Sequence, residues 1–258
     1  MLLKEWLSFS GLIAGVEIYR TEDEYGEITV LEYRGERVLT FDTMYEQSRV
    51  AVPATYLLIH DYTQAMLLAL IFTKPTHVTL LGLGGGSLAS CIYYFYPDIT
   101  LQAVELRQAV IDIAYTYFRL PHSERLRVIN EDAHRYLLKS SPTSTDIIFS
   151  DLYYAYEMSP LQRQEDFIKL CWCALTAEGW LVINYHRPPS TNIQLMECVK
   201  SIFPNVYTCT VSGDNTILFC GKSSKRINKS SLKQQMKQTS NLIGKPFEKY
   251  LRLLQLFK

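Results

Sequence analysis

Apolar and polar positions divide the chain into a first part with short strand patterns and a longer part in which strand and helix patterns alternate. In the first part, β-branched and aromatic residues separated by turn residues predict short antiparallel strands. These strands cover residues 16–20, 26–33 and 37–41. Residues 56–72 then carry apolar side chains at helical spacing, which predicts a helix that ends before Pro75.

Beyond that helix, continuous apolar runs alternate with helical patterns. The runs lie at residues 78–81, 100–104, 126–129, 145–149 and 179–185, and the helical patterns at 107–117, 161–174 and 192–203. This alternation predicts a parallel sheet covered by helices. Two further strand patterns, joined by the turn residues 212–215, have the signature of a hairpin. The expected fold class is therefore α/β, with a Rossmann-like sheet of the S-adenosylmethionine type and a terminal antiparallel hairpin.

The C-terminal residues show a change in composition. Residues 222–237 are rich in Lys, Ser, Asn and Gln, and apolar residues then recur at helical spacing up to Phe257, which predicts a linker and a docking helix. We therefore divide the chain into an N-terminal β-strand appendage (1–50), a Rossmann-like nucleoside-binding catalytic domain (51–224), and a linker with a C-terminal helix (225–258).

A glycine-rich turn follows the first strand of the predicted sheet. Residues 82–86, called the glycine loop below, read Gly-Leu-Gly-Gly-Gly and lead into a helix. Glycine permits a sharp turn and close approach of a ligand, and the helix amides behind it can hold a polar or anionic group. The loop predicts a nucleotide pocket, although the same pattern also serves strand-to-helix packing. Gly84, Gly86 and Ala89 match the looser dinucleotide fingerprint, so NAD binding is an alternative.

Three carboxylates each follow a strand of this sheet: Glu105, Asp132 and Asp151. Ligands of open α/β sheets bind at that edge. We expect Glu105 to accept hydrogen bonds from the ribose hydroxyls. Asp132 is expected to contact adenine, and a helix-capping role is compatible with this contact. A tyrosine-rich run at 152–156 follows Asp151 and is interpreted either as a cover over a flat or alkyl substrate or as a packing loop.

Composition and charge limit the partners that we expect. The chain of 258 residues has 26 basic and 26 acidic side chains, so electrostatics do not favour nucleic acid or an anionic membrane. No apolar stretch approaches the length of a membrane span, and the N-terminus lacks the apolar core of a secretory signal. Six cysteines and five histidines lie scattered without metal-ligand spacing. We expect a cytoplasmic protein with reduced thiols, no metal and no tightly bound cofactor.

The order of these motifs resembles the polyamine aminopropyltransferase (spermidine synthase) family, in its spermidine-synthase-like branch. The resemblance covers about residues 25–221. It implies that decarboxylated S-adenosylmethionine is the co-substrate, with the glycine loop beneath the nucleoside and the acid after the second strand on the ribose. The residues that it assigns to donor binding are Gln47 (with Glu46 as the alternative one residue away), Gly82, Gly84, Gly85, Gly86, Glu105, Leu106, Asp132 and Ala133.

The resemblance also implies a catalytic base and an acceptor site. It assigns Asp151 to orienting and deprotonating the attacking amine, and Tyr62 to lining the acceptor pocket. Spermidine synthases carry a second aspartate three residues after the first, and here that position is Tyr154. A missing carboxylate would remove a charge-assisted contact of about 1.5 to 3 kcal/mol, equivalent to roughly ten- to a hundredfold in binding. Either Glu157 or Glu165 compensates, or tyrosines replace the acid.

In the second case, an aromatic cage of Tyr153, Tyr154 and Tyr156 would hold an ammonium group by cation–π attraction. The expected reaction is transfer of an aminopropyl group to a small-molecule amine such as putrescine, as in polyamine biosynthesis. Methyl transfer from S-adenosylmethionine on the same sheet is the first alternative, and a nucleoside-binding protein without catalysis is the second. A homodimer is expected by analogy, because an exposed β appendage can pair its edges.

Overall fold

The N-terminal part of the molecule is a four-stranded antiparallel sheet. In the computed structural model, which describes residues 15–42, 45–186 and 192–257, the strands lie in the order β1-β2-β3-β4. Their bounds are β1 (Val16–Asp23), β2 (Gly26–Tyr33), β3 (Glu36–Phe41) and β4 (Tyr45–Ala51). Strand β4 is absent from the sequence prediction because its polar residues hide the alternation of a strand. Residues 1–14 of the predicted appendage lie outside the described residues.

The central sheet contains eight strands and confirms the predicted α/β class. Its strand order is β12-β10-β11-β9-β8-β5-β6-β7, and the five neighbouring strands from β9 to β7 in this order are parallel. The elements up to the hairpin are β5 (His77–Leu81), α3 (Ser87–Phe95), β6 (Thr100–Glu105), α4 (Gln108–Phe118), β7 (Leu126–Asn130), α5 (Ala133–Lys139), β8 (Thr145–Ser150), a 3-10 turn (Pro160–Arg163), α6 (Glu165–Ala174), β9 (Leu175–Tyr185) and α7 (Ile193–Ile202).

The predicted terminal hairpin is also confirmed. Strands β10 (Asn205–Thr210) and β11 (Thr216–Gly221) pair antiparallel, and β11 is antiparallel to β9. The connection between them, residues 212–215, is called the hairpin tip below. Because β9 ends where β11 begins, the tip lies at the carboxyl edge of the parallel strands. This position brings the hairpin tip to the place where ligands of such sheets bind.

The helix predicted for residues 56–72 is shorter and is divided in two. Helix α1 covers Asp61–Met66 and helix α2 covers Ala69–Phe72. The buried side chain of Gln64 donates to the carbonyls of Leu58 and Ile59, at 3.1 and 3.2 Å. The Gln64 side chain thus replaces the backbone N–H groups that would bind these two carbonyls in a helix. The chain before Asp61 can therefore stay non-helical.

The C-terminal part differs from the single helix that the sequence predicts. Helix α8 (Lys229–Ile243) begins within the expected linker, because the Asn228 side chain caps it by accepting from the Ser230 N–H at 3.0 Å. Gly244, with φ of 71°, ends this helix. Helix α9 (Glu248–Leu253) and strand β12 (Leu254–Leu256) follow, and β12 pairs with β10. The domain division at residues 50 and 224 stays a prediction.

The N-terminal sheet packs against the central domain through helix α4. Ile28, Val30 and Leu39 of the small sheet form one buried cluster with Val110 and Phe118 of α4. This contact places the turn between β1 and β2, and strand β4, beside the carboxyl edge of the central sheet. Within the described residues, no helix is both long and apolar enough to cross a membrane.

Candidate active site

A cavity of about 650 Å³ opens at the carboxyl edge of the central sheet. Strands β5, β6 and β8 form its floor, and β4 and the β1–β2 turn lie beside it. The residues that line it include all but two of the sequence-predicted site residues: Gln47, Tyr62, Gly82, Gly84, Glu105, Leu106, Asp132, Ala133, Asp151, Tyr153 and Tyr154. The remaining two, Gly85 and Gly86, lie behind this lining in the glycine loop.

The glycine loop packs closely against its neighbours, so that side chains at Gly82, Gly85 and Gly86 would overlap other atoms. Gly82 has φ of 91°, and a Cβ on it would overlap the backbone carbonyl oxygen of Asp151. A Cβ on Gly85 would lie 2.6 Å from Cδ1 of Phe118. The absence of these side chains lets the loop turn directly from β5 into α3 and keeps its backbone facing the cavity.

Glu105 holds the glycine loop through its carboxylate. Oε2 accepts a hydrogen bond from the Leu83 N–H and Oε1 accepts one from the Arg107 N–H, both at 3.0 Å. Desolvation by the surrounding protein raises the pKa of Glu105, while these amides and the Arg107 charge oppose the shift. The Arg107 guanidinium in turn binds Asp23 and the Gly26 carbonyl, which fixes the β1–β2 turn beside the site.

Asp132 caps helix α5, as the sequence allowed. Its Oδ1 accepts from the Arg135 N–H at 2.9 Å, and Ala133 is the first, buried residue of the helix. Leu106 lines the same side of the cavity. The ends of β6 and β7 therefore bring Glu105, Leu106, Asp132 and Ala133 together, as expected for parallel neighbours.

Asp151 follows β8 on the opposite side of the glycine loop. Its Oδ1 accepts from Nδ2 of Asn184 at 2.8 Å, and the Tyr62 hydroxyl is its second hydrogen-bond partner. Desolvation raises the pKa of Asp151, and the two hydrogen bonds and the nearby His60 reduce the shift. A partly buried carboxylate with a raised pKa is a better proton acceptor than an exposed one.

Strand β4 supplies Glu46 and Gln47, which both line the cavity. Nε of Arg49 donates to Oε1 of Glu46 at 2.8 Å, and Nε2 of His60 lies 3.1 Å from the same oxygen. Although desolvation opposes it, hydrogen bonding to Arg49 and His60 lowers the pKa of Glu46 to about 2. Glu46 is therefore an ionised residue paired with the Arg49 guanidinium, and both Glu46 and Gln47 remain candidates for contact with the donor.

Comparison with known proteins identifies the family of the chain. The polyamine aminopropyltransferase of Neisseria meningitidis is 30% identical over 200 residues, which are 75% of this chain and 76% of that protein. The chain belongs to the polyamine aminopropyltransferase family. No family model matches the sequence. The eEF1A lysine and N-terminal methyltransferase of Danio rerio is 29% identical over 183 residues, 67% of this chain and 26% of that protein.

Solved structures show the same fold. A probable spermidine synthase from Corynebacterium glutamicum superimposes with a TM-score of 0.73 at 18% identity, over 84% of this chain and 86% of that one. A spermidine synthase in complex with the transition-state analogue AdoDATO gives a TM-score of 0.64 at 18% identity, over 81% of this chain and 74% of that one. This likeness confirms the predicted sheet type.

The cavity wall that follows Asp151 is where this chain departs from the expected family pattern. Residues 152–158, called the aromatic loop below, fold back on themselves, with the Tyr154 N–H donating to the Glu157 carbonyl at 2.9 Å. Tyr154 is 45% exposed and Tyr156 is 65% exposed, and both line the cavity together with Glu157. Glu165 is not among the lining residues that the structure describes, and it lies 3.5 Å from Lys169.

Among the polar residues of this cavity that the sequence did not predict are His60, Asn184 and Asn215. Asn184 lies one residue before the end of strand β9, at the ligand-binding edge of the sheet, so its position was a usable signal. Asn215 lies in the predicted hairpin turn, and nothing in its sequence context pointed to a partner. His60 precedes α1 and carries no motif. Among the described residues, no three His, Cys, Asp or Glu side chains form a group that could hold a metal ion.

Proposed function

We propose that this protein transfers an aminopropyl group from decarboxylated S-adenosylmethionine to a small amine, with Asp151 as the base. The observation that carries this proposal is the environment of Asp151. Its carboxylate opens to the cavity, accepts hydrogen bonds from Asn184 and Tyr62, and has a pKa raised by desolvation. Membership of the aminopropyltransferase family supports the same reaction.

The reaction needs a base because an ammonium nitrogen has no free electron pair. In the step that we propose, the ammonium first loses a proton, and the neutral amine nitrogen then attacks the carbon bonded to the sulfonium sulfur, so that a nitrogen–carbon bond forms. The carbon–sulfur bond breaks, its electron pair returns to sulfur, and methylthioadenosine leaves. Asp151 accepts the proton released from the nitrogen. The hydrogen bonds that Asp151 accepts from Asn184 and Tyr62 keep its carboxylate in place during this transfer.

The charge of the cavity supports two cationic ligands. The carboxylates that line it are Glu46, Asp61, Glu105, Glu131, Asp132, Asp151 and Glu157. The lining guanidinium of Arg107 is already bound to Asp23 at 2.7 Å, and three of the carboxylates are likewise paired, Glu46 with Arg49, Asp61 with Lys249 and Glu131 with Lys139. A decarboxylated donor carries a sulfonium and an ammonium group, and the acceptor is an ammonium in bulk water. Such ligands gain from an acidic cavity both in binding and in rate of approach.

For donor binding, we propose that the glycine loop, including Gly85 and Gly86, lies beneath the nucleoside. Glu105 would accept from the ribose hydroxyls, and Leu106, Asp132 and Ala133 would border the adenine. Tyr62, Tyr153 and Tyr154 would contact the acceptor. We further propose a cytoplasmic homodimer without a tightly bound cofactor.

Methyl transfer is the second candidate function. It is favoured by Tyr154 in place of a second aspartate and by the similarity to the Danio rerio methyltransferase. The carboxylate of S-adenosylmethionine distinguishes the reactions, since a methyltransferase must accommodate it and an aminopropyltransferase gains by excluding it.

Calorimetric titration with decarboxylated S-adenosylmethionine, S-adenosylmethionine and methylthioadenosine, alone and with putrescine or spermidine, tests the proposal. Incubation with a panel of amines and mass analysis of the products follows. We expect preferred binding of the decarboxylated donor, strengthened by an amine, and an aminopropylated product. Preference for intact S-adenosylmethionine with a methylated product would replace the proposal by methyl transfer. Nucleoside binding without turnover of any amine would indicate a binding protein.

A further inference from the structure

A chain of hydrogen bonds connects the hairpin tip to Asp151. Nδ2 of Asn215 donates to Oδ1 of Asn184 at 2.9 Å, and Nδ2 of Asn184 donates to Oδ1 of Asp151 at 2.8 Å. Asn184 is only 2% exposed, and its backbone carbonyl accepts from the Tyr153 hydroxyl at 3.0 Å. Its side-chain amide therefore lies between two fixed partners and is shielded from water.

The order of donors and acceptors in this chain is set by chemistry. An ionised carboxylate can only accept hydrogen bonds, so Asn184 must turn its NH₂ group toward Asp151. The Asn184 oxygen then faces Asn215, which must supply an NH₂ group in return. If Asn215 could not donate, the Asn184 oxygen would lose its partner, and the bond to Asp151 alone would hold the Asn184 amide in its orientation.

We infer that Asn184 and Asn215 form a positioning pair that keeps Asp151 ionised and directed into the cavity. The inference rests on the proposed function, and it adds two residues that neither touch the glycine loop nor belong to the predicted site. Asn184 acts on Asp151 directly, and Asn215 acts through Asn184.

The same hairpin tip also braces the second partner of Asp151. Ser212 Oγ donates to Oδ2 of Asp61 at 2.6 Å, and Asp61 is the first residue of the helix that carries Tyr62. Both hydrogen bonds to Asp151 therefore come from elements that the tip contacts. The hairpin places its tip at the pocket wall, so changes there reach the base without touching it.

Other groups around Asp151 also influence its proton affinity. Tyr62 and His60 approach it from α1 and the residue before α1, and Tyr153 approaches from the aromatic loop. Desolvation and the Asp151 charge raise the pKa of Tyr62 well above its ordinary value, so this phenol stays protonated as a donor. A change at Asn215 is remote from these three groups and reaches Asp151 through the Asn184 amide, together with the charge of the new side chain where that side chain is a carboxylate.

Substitution of Asn215 tests the pair. Asn215→Asp keeps the size and a hydrogen-bonding group but cannot donate, so Asn184 is expected to turn its NH₂ toward the new carboxylate. Asn215→Leu removes the donor without adding charge. We expect the acidic limb of the kcat/KM profile to move to higher pH by about one unit in Asn215→Asp, equivalent to about tenfold lower kcat/KM on that limb, and in the same direction in Asn215→Leu.

Thr210→Val is the matched control on the same hairpin. Its hydroxyl pairs with that of Thr216 at 3.0 Å and does not contact Asn184. We expect its pH profile to match the unmodified protein. An acidic limb that does not move in either Asn215 variant would overturn the inference. A shift in Asn215→Asp alone would also overturn it, because such a shift would show only the effect of the added charge.

A second readout separates this inference from the proposed function. Carbon-13 NMR titration of aspartate-labelled protein, with the Asp151 signal assigned from Asp151→Asn, reports the proton affinity of Asp151 without turnover. If the unmodified protein transfers no aminopropyl group, the proposed function fails, and the pair is judged by this titration. A higher Asp151 pKa in both Asn215 variants would support the pair, and an unchanged one would contradict it.

Discussion

Gly82 of the glycine loop is packed directly against the backbone of Asp151. A Cβ on Gly82 would overlap the Asp151 carbonyl oxygen, and the Asp151 N–H donates to the carbonyl of the preceding Leu81 at 2.9 Å. The loop proposed to hold the donor and the residue proposed as the base are therefore held at a fixed separation by main-chain packing. Displacement of one moves the other.

Replacing Gly82 by alanine is expected to lower both stability and nucleoside binding. Alanine would strain a backbone with φ of 91° and clash with Asp151, so we expect a loss of at least about 2 kcal/mol in the free energy of unfolding. Gly35→Ala is the matched control, because Gly35 has φ of 81° but a Cβ on it would meet no atom within 4 Å. Urea unfolding and calorimetry measure the two effects. Equal losses for both variants would contradict the packing argument.

Asp151→Asn is expected to reduce turnover while leaving donor binding intact. Removal of a general base costs about a hundredfold to ten-thousandfold in rate. Because desolvation raises the pKa of Asp151, kcat/KM of the unmodified protein is expected to fall as the pH drops through that raised value. Steady-state kinetics across pH and calorimetry with the decarboxylated donor provide the measurement. Unchanged turnover in Asp151→Asn would remove Asp151 from the role of base.

Tyr154→Asp is expected to improve the use of a dicationic acceptor. Tyr154 lines the cavity and is 45% exposed, so a carboxylate there can meet a distal ammonium group at little cost in burial. A gained charge-assisted contact of about 1.5 kcal/mol would lower KM for putrescine about tenfold. Tyr156→Asp, on the more exposed tyrosine of the same loop, is the control. A similar KM change in both variants would indicate a general charge effect rather than a specific site.

Asp61→Asn is expected to weaken the attachment of the C-terminal helices at neutral pH. Asp61 accepts hydrogen bonds from Lys249 at 2.8 Å, Tyr250 at 2.9 Å and Ser212. Desolvation opposes the shift, but these contacts lower the pKa of Asp61. After allowance for solvent screening, we expect a loss of about 1 kcal/mol in the free energy of unfolding.

The pH dependence of that loss follows from the direction of the shift. A lowered folded-state pKa gives stability that is present above the unfolded-state pKa of Asp61 and is lost as the pH falls through the folded-state value. The difference between the unmodified protein and Asp61→Asn should therefore shrink in acid. Asp98→Asn, at an exposed position before β6, is the control and should show a small difference throughout. A constant loss at all pH values would contradict the role of the Asp61 charge.

The three acidic residues that the sequence predicted share one property. Glu105, Asp132 and Asp151 each lie at or just after the end of a strand of a parallel sheet, and the alternation of strands and helices is enough to bring such ends together. The glycine loop is similarly marked by its own residues. The fold class, the terminal hairpin and the family follow from these local patterns.

Most of the contacts that the sequence did not reveal join distant positions. Asn184 lies 33 residues from Asp151 and 31 residues from Asn215, and an asparagine at the end of an apolar run carries no periodic signal. Asp61 meets Lys249 across 188 residues. At shorter range, the late start of helix α1 at Asp61 depends on Gln64, whose side chain binds carbonyls that a longer helix would have used.

A competition experiment tests the central claim most directly. The protein is incubated with equal concentrations of decarboxylated S-adenosylmethionine and S-adenosylmethionine together with putrescine, and all products are measured by mass. We predict spermidine and methylthioadenosine in equal amounts, with both products strongly reduced in Asp151→Asn. Methylated putrescine with S-adenosylhomocysteine in place of these products would contradict aminopropyl transfer.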